Sequence, residues 1–158
     1  MSVTTPRLAS LTEAVVHEQL ASVHDPEIPN VSIVDLGIVE RITVTDAAIE
    51  VELLPTFVGC PALEVIRQAV VGALEPLGRP VEVDFTWRVP WTSDRISETG
   101  RARLAESGFA PPDDPEHVRC PYCRSSRVAM DSLFGPTQCR SLFYCRDCRQ
   151  PFEAFKPI

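Results

Sequence analysis

The chain has 158 residues, enough for one ordinary domain or for one domain with a small appendage. Hydrophobic residues make up 44% of it, which supports a real core and excludes a disordered or fibrous polymer. The net charge of −7 is unevenly placed: residues 1–118 carry 8 Arg and no Lys against 19 acidic residues, whereas residues 119–158 carry 6 Arg and Lys156 against 3. The acidic body is a poor polyanion binder, and only the tail stays a weak candidate.

The charge-free run Leu53–Leu63 is about half of the ~18 residues a spanning helix needs. No basic segment followed by an apolar one opens the chain, so a cytoplasmic protein without a secretory signal is expected. Four of the six cysteines form two C-x-x-C pairs. In that compartment the pattern reads as metal binding, not as a disulfide framework.

Ser10-Leu11-Thr12-Glu13 has the form of a capping box. A helix should follow with Val16, Leu20 and Val23 on one face, ending before Asp25-Pro26-Glu27-Ile28-Pro29. After Asp35-Leu36-Gly37 the apolar period changes to two, and strands are expected over 39–45 and 48–54 with a tight turn at Asp46-Ala47. Thr56-Phe57-Val58-Gly59-Cys60 reads as a loop and Pro61 as the first residue of a helix. Leu63, Ile66, Val70, Leu74 and Leu77 form that helix's apolar stripe. Val81, Val83, Phe85 and Trp87 alternate as a third strand. Thr92 or Ser93 starts an interrupted helical segment reaching Ser107.

The order α-β-β-α-β-α predicts an α+β protein. Its body is a small two-layer α/β sandwich over 1–110, with helices on one face of the sheet. Residues 111–117 read as a proline-rich acidic linker, and 118–158 as a zinc ribbon with its own core. Cys120, Cys123, Cys145 and Cys148 are the metal ligands, because two C-x-x-C turns aim four thiolates at one point and close a tetrahedral Zn²⁺ site. A module of about 40 residues scarcely folds without such a staple. A rubredoxin-like iron or a redox dithiol pair are the alternatives to structural zinc. His117 is set aside as a ligand, since four cysteines already fill the site.

Cys139 is a fifth candidate. If 139–145 is one strand, six residues at ~3.3 Å put Cys139 about 20 Å from Cys145. It then cannot share the metal and reads as a small buried hydrophobe. Cys60 is the candidate functional thiol. Between Gly59 and Pro61 it sits at a helix cap, where free amides and the dipole would lower a thiol pKa. An inert packed cysteine is the equal alternative. Asp25 and Glu27 join the site only if their loop folds beside Cys60, and Thr56 could lend a hydroxyl from the Cys60 loop. A carboxylate there would raise the thiol pKa while suiting a shared metal.

Asp25-Pro26-Glu27-Ile28-Pro29, Ile33-Val34-Asp35-Leu36-Gly37 and Thr56-Phe57-Val58-Gly59-Cys60-Pro61 resemble the domain of SufT-type and cytosolic iron–sulfur assembly factors. The run 134–145 and Pro151-Phe152-Glu153-Ala154-Phe155-Lys156 resemble the tail of the PaaD (PaaJ) family of phenylacetate degradation. That resemblance places a cysteine at position 139. It also implies an accessory protein that helps assemble or mature the multicomponent di-iron monooxygenase epoxidising phenylacetyl-CoA, rather than its catalytic component. Cys60 would be a transient ligand for iron or an iron–sulfur cluster, supported by Asp25 and Glu27. The oxygenase subunits or iron–sulfur assembly proteins would be the partners. A lone thiol holding a cluster calls for ligands from a second chain, as in a homodimer.

The chain lacks the Glu-x-x-His helices of a di-iron carboxylate site and a dinucleotide-binding glycine loop. Two rival readings stand beside the accessory role. One is a thiol enzyme with Cys60 as nucleophile, which needs a positioned base, and no histidine has a recognisable spacing for it. The other is a ribbon adaptor for protein or nucleic acid, with nucleic acid disfavoured by the charge of the body.

Overall fold

The computed structural model describes residues 10–158. Helix α1 (Glu13–Leu20) is capped by Thr12, whose hydroxyl accepts from the Val15 amide at 3.4 Å. The cap therefore falls two residues after the expected Ser10, because Thr12 is the residue that takes extended backbone at the helix start. Strands β1 (Val39–Val44) and β2 (Ile49–Leu53) form an antiparallel hairpin closed by the Thr45 amide on the Ala48 carbonyl. Helix α2 (Ala62–Leu74) then crosses over, and β3 (Val81–Phe85) pairs parallel to β2. The sheet order is β1-β2-β3, and both helices pack against it.

Alternation along β2 builds the two faces. Ile49, Val51 and Leu53 are buried beneath the helices. On the other face Glu52 pairs with Arg41 and Arg88. Ile66, Val70 and Leu74 of α2 complete the core with Val16 and Leu20 of α1. Ala62 is buried where the sequence pattern offered Leu63.

The segment that follows β3 returns over this body. A single 3₁₀ turn, Ser93–Arg95, precedes helix α3 (Glu98–Glu106), which is capped by the Ser97 hydroxyl on the Gly100 amide at 2.9 Å. Asp35 ties it down. Its carboxylate accepts from Ser97 at 2.8 Å, Ser32 at 3.0 Å and Arg103 at 3.2 Å, and its carbonyl accepts from the Ser97 amide. Gly37 has φ +67, and a Cβ there would collide with the Arg95 backbone, so this position needs glycine. Trp91 donates its indole N–H to the Leu36 carbonyl at 2.8 Å.

Strand β4 (Phe109–Ala110) leads into a second sheet with β5 (Val128–Ser132), β6 (Arg140–Cys145) and β7 (Pro151–Phe155), in the order β4-β7-β6-β5. This sheet has a small core of its own, in which Phe143 and Phe152 stack at 5.6 Å. One ring of β7 leaves it: Phe155 is 3% exposed and packs in the core of the body, 6.1 Å from Trp91. Further on, Ile158 and Ser93 exchange backbone and hydroxyl hydrogen bonds.

Candidate functional site: a four-cysteine metal centre and a thiol cleft

The two C-x-x-C turns are built alike. The Cys120 amide donates to the Ser125 carbonyl and the Cys145 amide to the Gln150 carbonyl, both at 2.9 Å. Arg124 and Arg149, each just after a turn, have φ of 64 and 59. These left-handed residues turn the chain sharply enough for both sulfurs of each pair to face one point. Asp147 joins the turns by accepting from Ser125 and from Arg127.

The four Sγ atoms of Cys120, Cys123, Cys145 and Cys148 all lie within 4.8 Å of one another, with Cys120–Cys148 and Cys123–Cys145 at 3.6 Å. A tetrahedral centre with metal–sulfur bonds of about 2.3 Å has sulfurs roughly 3.8 Å apart, so the cluster fits such a metal closely. The thiols are also unequal before a metal enters. Amides of Cys148 and Asp147 draw Cys145 down to about 7. Burial and the neighbouring sulfurs hold Cys148 up at about 12. His117 lies outside the cluster and faces Asp113 at 4.0 Å.

A second constellation sits at the other end of β6. The loop that precedes α2 places Cys60, half-buried, at the mouth of a cleft of about 190 Å³. Glu27, Thr56 and Gly59 line it from the body, and Thr137 and Cys139 from the ribbon's β5–β6 connection. The Glu27 loop therefore does fold beside Cys60, and Thr56 lines the same cleft from the Cys60 loop. Asp25 serves the loop itself: its Oδ1 accepts from the amides of Glu27 at 2.8 Å and Ile28 at 3.0 Å.

Two expectations are corrected here. A helix start favours a lowered Cys60 pKa, but burial pushes this thiol up and the nearby carboxylates of Glu27 and Asp25 push the same way. The opposing amide of Ala62 is outweighed. Pro61 is the cap, not the first helical residue, so Cys60 lies one step outside the helix. The second correction concerns Cys139. It lies apart from the metal cluster, as strand length required. Yet it is half-buried against the body's core and faces the Cys60 cleft, and is not a filler of the ribbon's own core.

Arg140 is the residue that sequence patterns do not mark. Its side chain is 7% exposed and bridges the modules, donating to Glu27 at 3.2 Å and Glu153 at 2.6 Å. Its guanidinium also lies 4.9 Å from the centre of the Phe109 ring. No local signal could have found it, because both carboxylates come from distant segments.

The comparisons with known proteins divide along the same line. The description "Iron-sulfur cluster assembly protein" matches residues 13–85, and "PaaD zinc beta ribbon domain" matches residues 106–156. An Escherichia coli (strain K12) protein, provisionally named as one of the subunits of 1,2-phenylacetyl-CoA epoxidase, is 38% identical, over 96% of this chain and 99% of its own. The Staphylococcus aureus (strain USA300) Fe-S protein maturation auxiliary factor SufT is 34% identical over 52% of this chain and 97% of its own. Among solved structures, a domain of unknown function, DUF59, from Bacillus anthracis matches with TM-score 0.54 and 30% identity, covering 58% of this chain and 90% of that one. Among the described residues no helix is long and apolar enough to cross a membrane. An iron–sulfur-assembly body joined to a four-cysteine ribbon, and a relative matched almost end to end, show that the chain belongs to the PaaD family.

Proposed function

We propose that this protein is an accessory factor that helps assemble or mature the phenylacetyl-CoA ring-epoxidising oxygenase, handing iron or an iron–sulfur centre to it through Cys60. The observation that carries this reading is the placement of Cys60: a half-buried thiol opening into a cleft with a carboxylate beside it. A thiol and a carboxylate make a ligand pair for iron, whereas nucleophilic catalysis would ask for a positioned base. Among the described residues no histidine lines the cleft. The raised thiol pKa points the same way, since a resting thiol that stays protonated is a poor nucleophile. The similarity to an epoxidase component on one side and to maturation factors on the other supports the choice of client.

In this reading the ribbon metal is zinc and does no chemistry. Its four thiolates leave no open position for a substrate, and its work is to hold β5, β6 and β7 in place. Cys120, Cys123, Cys145 and Cys148 are its ligands.

The test is complementation. Cells dependent on this protein should lose phenylacetyl-CoA epoxidase activity when it carries Cys60→Ala, while the purified variant melts within about 3 °C of the parent, because a half-buried cysteine is replaced by alanine at modest cost. Full epoxidase activity with Cys60→Ala would remove Cys60 from the function and the proposal with it.

A further inference from the structure

Another cavity, of about 290 Å³, lies where α3 and the linker meet the first C-x-x-C turn, and neither the ribbon metal nor Cys60 uses it. Ala105, Pro112 and Val118 give it an apolar wall. Three arginines line it: Arg101 from α3, and Arg119 and Arg124 from either side of the Cys120–Cys123 turn. Among the described residues none of the three forms an ion pair. Arg101 donates to the Pro112 carbonyl at 2.9 Å and the Ser93 carbonyl at 3.0 Å, which fixes its guanidinium in place without matching its charge. The one carboxylate on the lining belongs to Asp113, which faces His117 at 4.0 Å.

The ribbon metal accounts for other arginines, not these. Four thiolates around a divalent ion leave two negative charges. Arg146 and Arg149, which directly follow the ligands Cys145 and Cys148, suffice to balance them. Arg127 is paired with Asp147. The charges of Arg101, Arg119 and Arg124 are left over beside the cavity.

We propose that this cavity binds a small organic phosphate monoester, with its phosphate against Arg101, Arg119 and Arg124 and its apolar part along Ala105, Pro112 and Val118. A guanidinium fork matches phosphate oxygens in geometry as well as in charge. At neutral pH a phosphate monoester carries nearly two negative charges. That suits three arginines offset by Asp113, whereas a carboxylate brings only one. A site of this kind, an apolar wall with a few convergent polar groups, is the ordinary form of a small-molecule pocket. A long polyanion is not the occupant, because the acidic body repels it. Arg101 belongs to the body and the other two arginines to the ribbon, so the ligand would also tie the modules together. The inference does not rest on the reading of Cys60.

The experiment uses the full-length, zinc-loaded protein at low ionic strength in a phosphate-free buffer, with phenyl phosphate as the probe and titration calorimetry as the readout. One phenyl phosphate per chain should bind, and saturating amounts should raise the melting temperature. Phenylacetate keeps the ring but halves the charge, and inorganic phosphate keeps the charge but lacks the ring. Each should bind at least about tenfold more weakly. Arg124 has φ 64, a conformation that glycine adopts without strain, so Arg124→Gly removes the guanidinium while favouring the turn. This variant should keep its zinc and its melting temperature and lose about tenfold or more in affinity for phenyl phosphate. Arg119→Gln should lose affinity likewise, and it decides the matter should Arg124→Gly shed zinc. No binding of phenyl phosphate, or unchanged affinity in zinc-loaded variants, would overturn the proposal. Phenylacetate or inorganic phosphate bound as tightly as phenyl phosphate would overturn it too, the first by removing the need for a phosphate, the second by removing the organic part.

Discussion

Phe155→Ala removes a ring that the ribbon lends to the body. The side chain is 3% exposed, so nearly all of its apolar surface is lost from the core, together with the tilted contact to Trp91 at 6.1 Å. Truncation of a buried phenylalanine costs about 3–5 kcal/mol, because the vacated space closes only partly. For a chain of this size each kcal/mol moves the midpoint by roughly 2–4 °C, so a fall on the order of 10 °C is expected. The assay is a thermal melt followed by far-ultraviolet circular dichroism and by Trp91 emission, in a Trp87→Phe background that silences the exposed second tryptophan. Removing the ribbon metal from the parent protein with a strong chelator should lower the same transition, since β7 then loses the sheet that positions Phe155. A Trp91 transition that stays within about 3 °C of the parent in both cases would refute the reasoning and show that the body stands without the ribbon.

Two further outcomes concern the cleft. Burial is the main cause of the raised Cys60 pKa, and the Glu27 carboxylate adds to it; Glu27→Gln should therefore let iodoacetamide label Cys60 faster at pH 8, and slower labelling in a folded variant would reverse the sign of the argument. Burial raises the Asp25 pKa above its ordinary value, against the pull of the Glu27 and Ile28 amides. The folded state then holds this proton more tightly than the unfolded one, so the group costs stability at pH 7 and returns it as the pH falls toward about 4. Asp25→Asn, which can still accept from both amides, should match or exceed the parent's melting temperature at pH 7, with the difference narrowing at pH 5; a lower midpoint at pH 7 would show that the charge itself is needed.

Much of the architecture is legible in the sequence because it is written in local periods. The Ile49–Leu53 alternation and the Ile66–Val70–Leu74 stripe each name their own element and buried face. The metal site is equally plain, since each C-x-x-C turn fixes two ligands by covalent spacing alone. The approach of the Glu27 loop to Cys60 is expected only through resemblance, as no local pattern states it.

What the tertiary structure decides is everything that depends on desolvation and on pairs far apart in the chain. A helix start argues for a lowered Cys60 pKa, but burial and two carboxylates outweigh one amide, and neither burial nor those neighbours can be counted before the loops are in place. In the sequence Cys139 reads as a small buried residue, because strand length keeps it away from the metal ligands. Only the docking of the ribbon turns it toward Cys60. Arg140 and Phe155 carry no signal of their own. One is defined by Glu27 and Glu153, the other by Trp91, and these contacts exist because the second sheet is laid against the body. The chain's chemistry-bearing residue types are set by sequence, while their electrostatic environment is a property of the packed whole, where removal of water makes a few charges decisive.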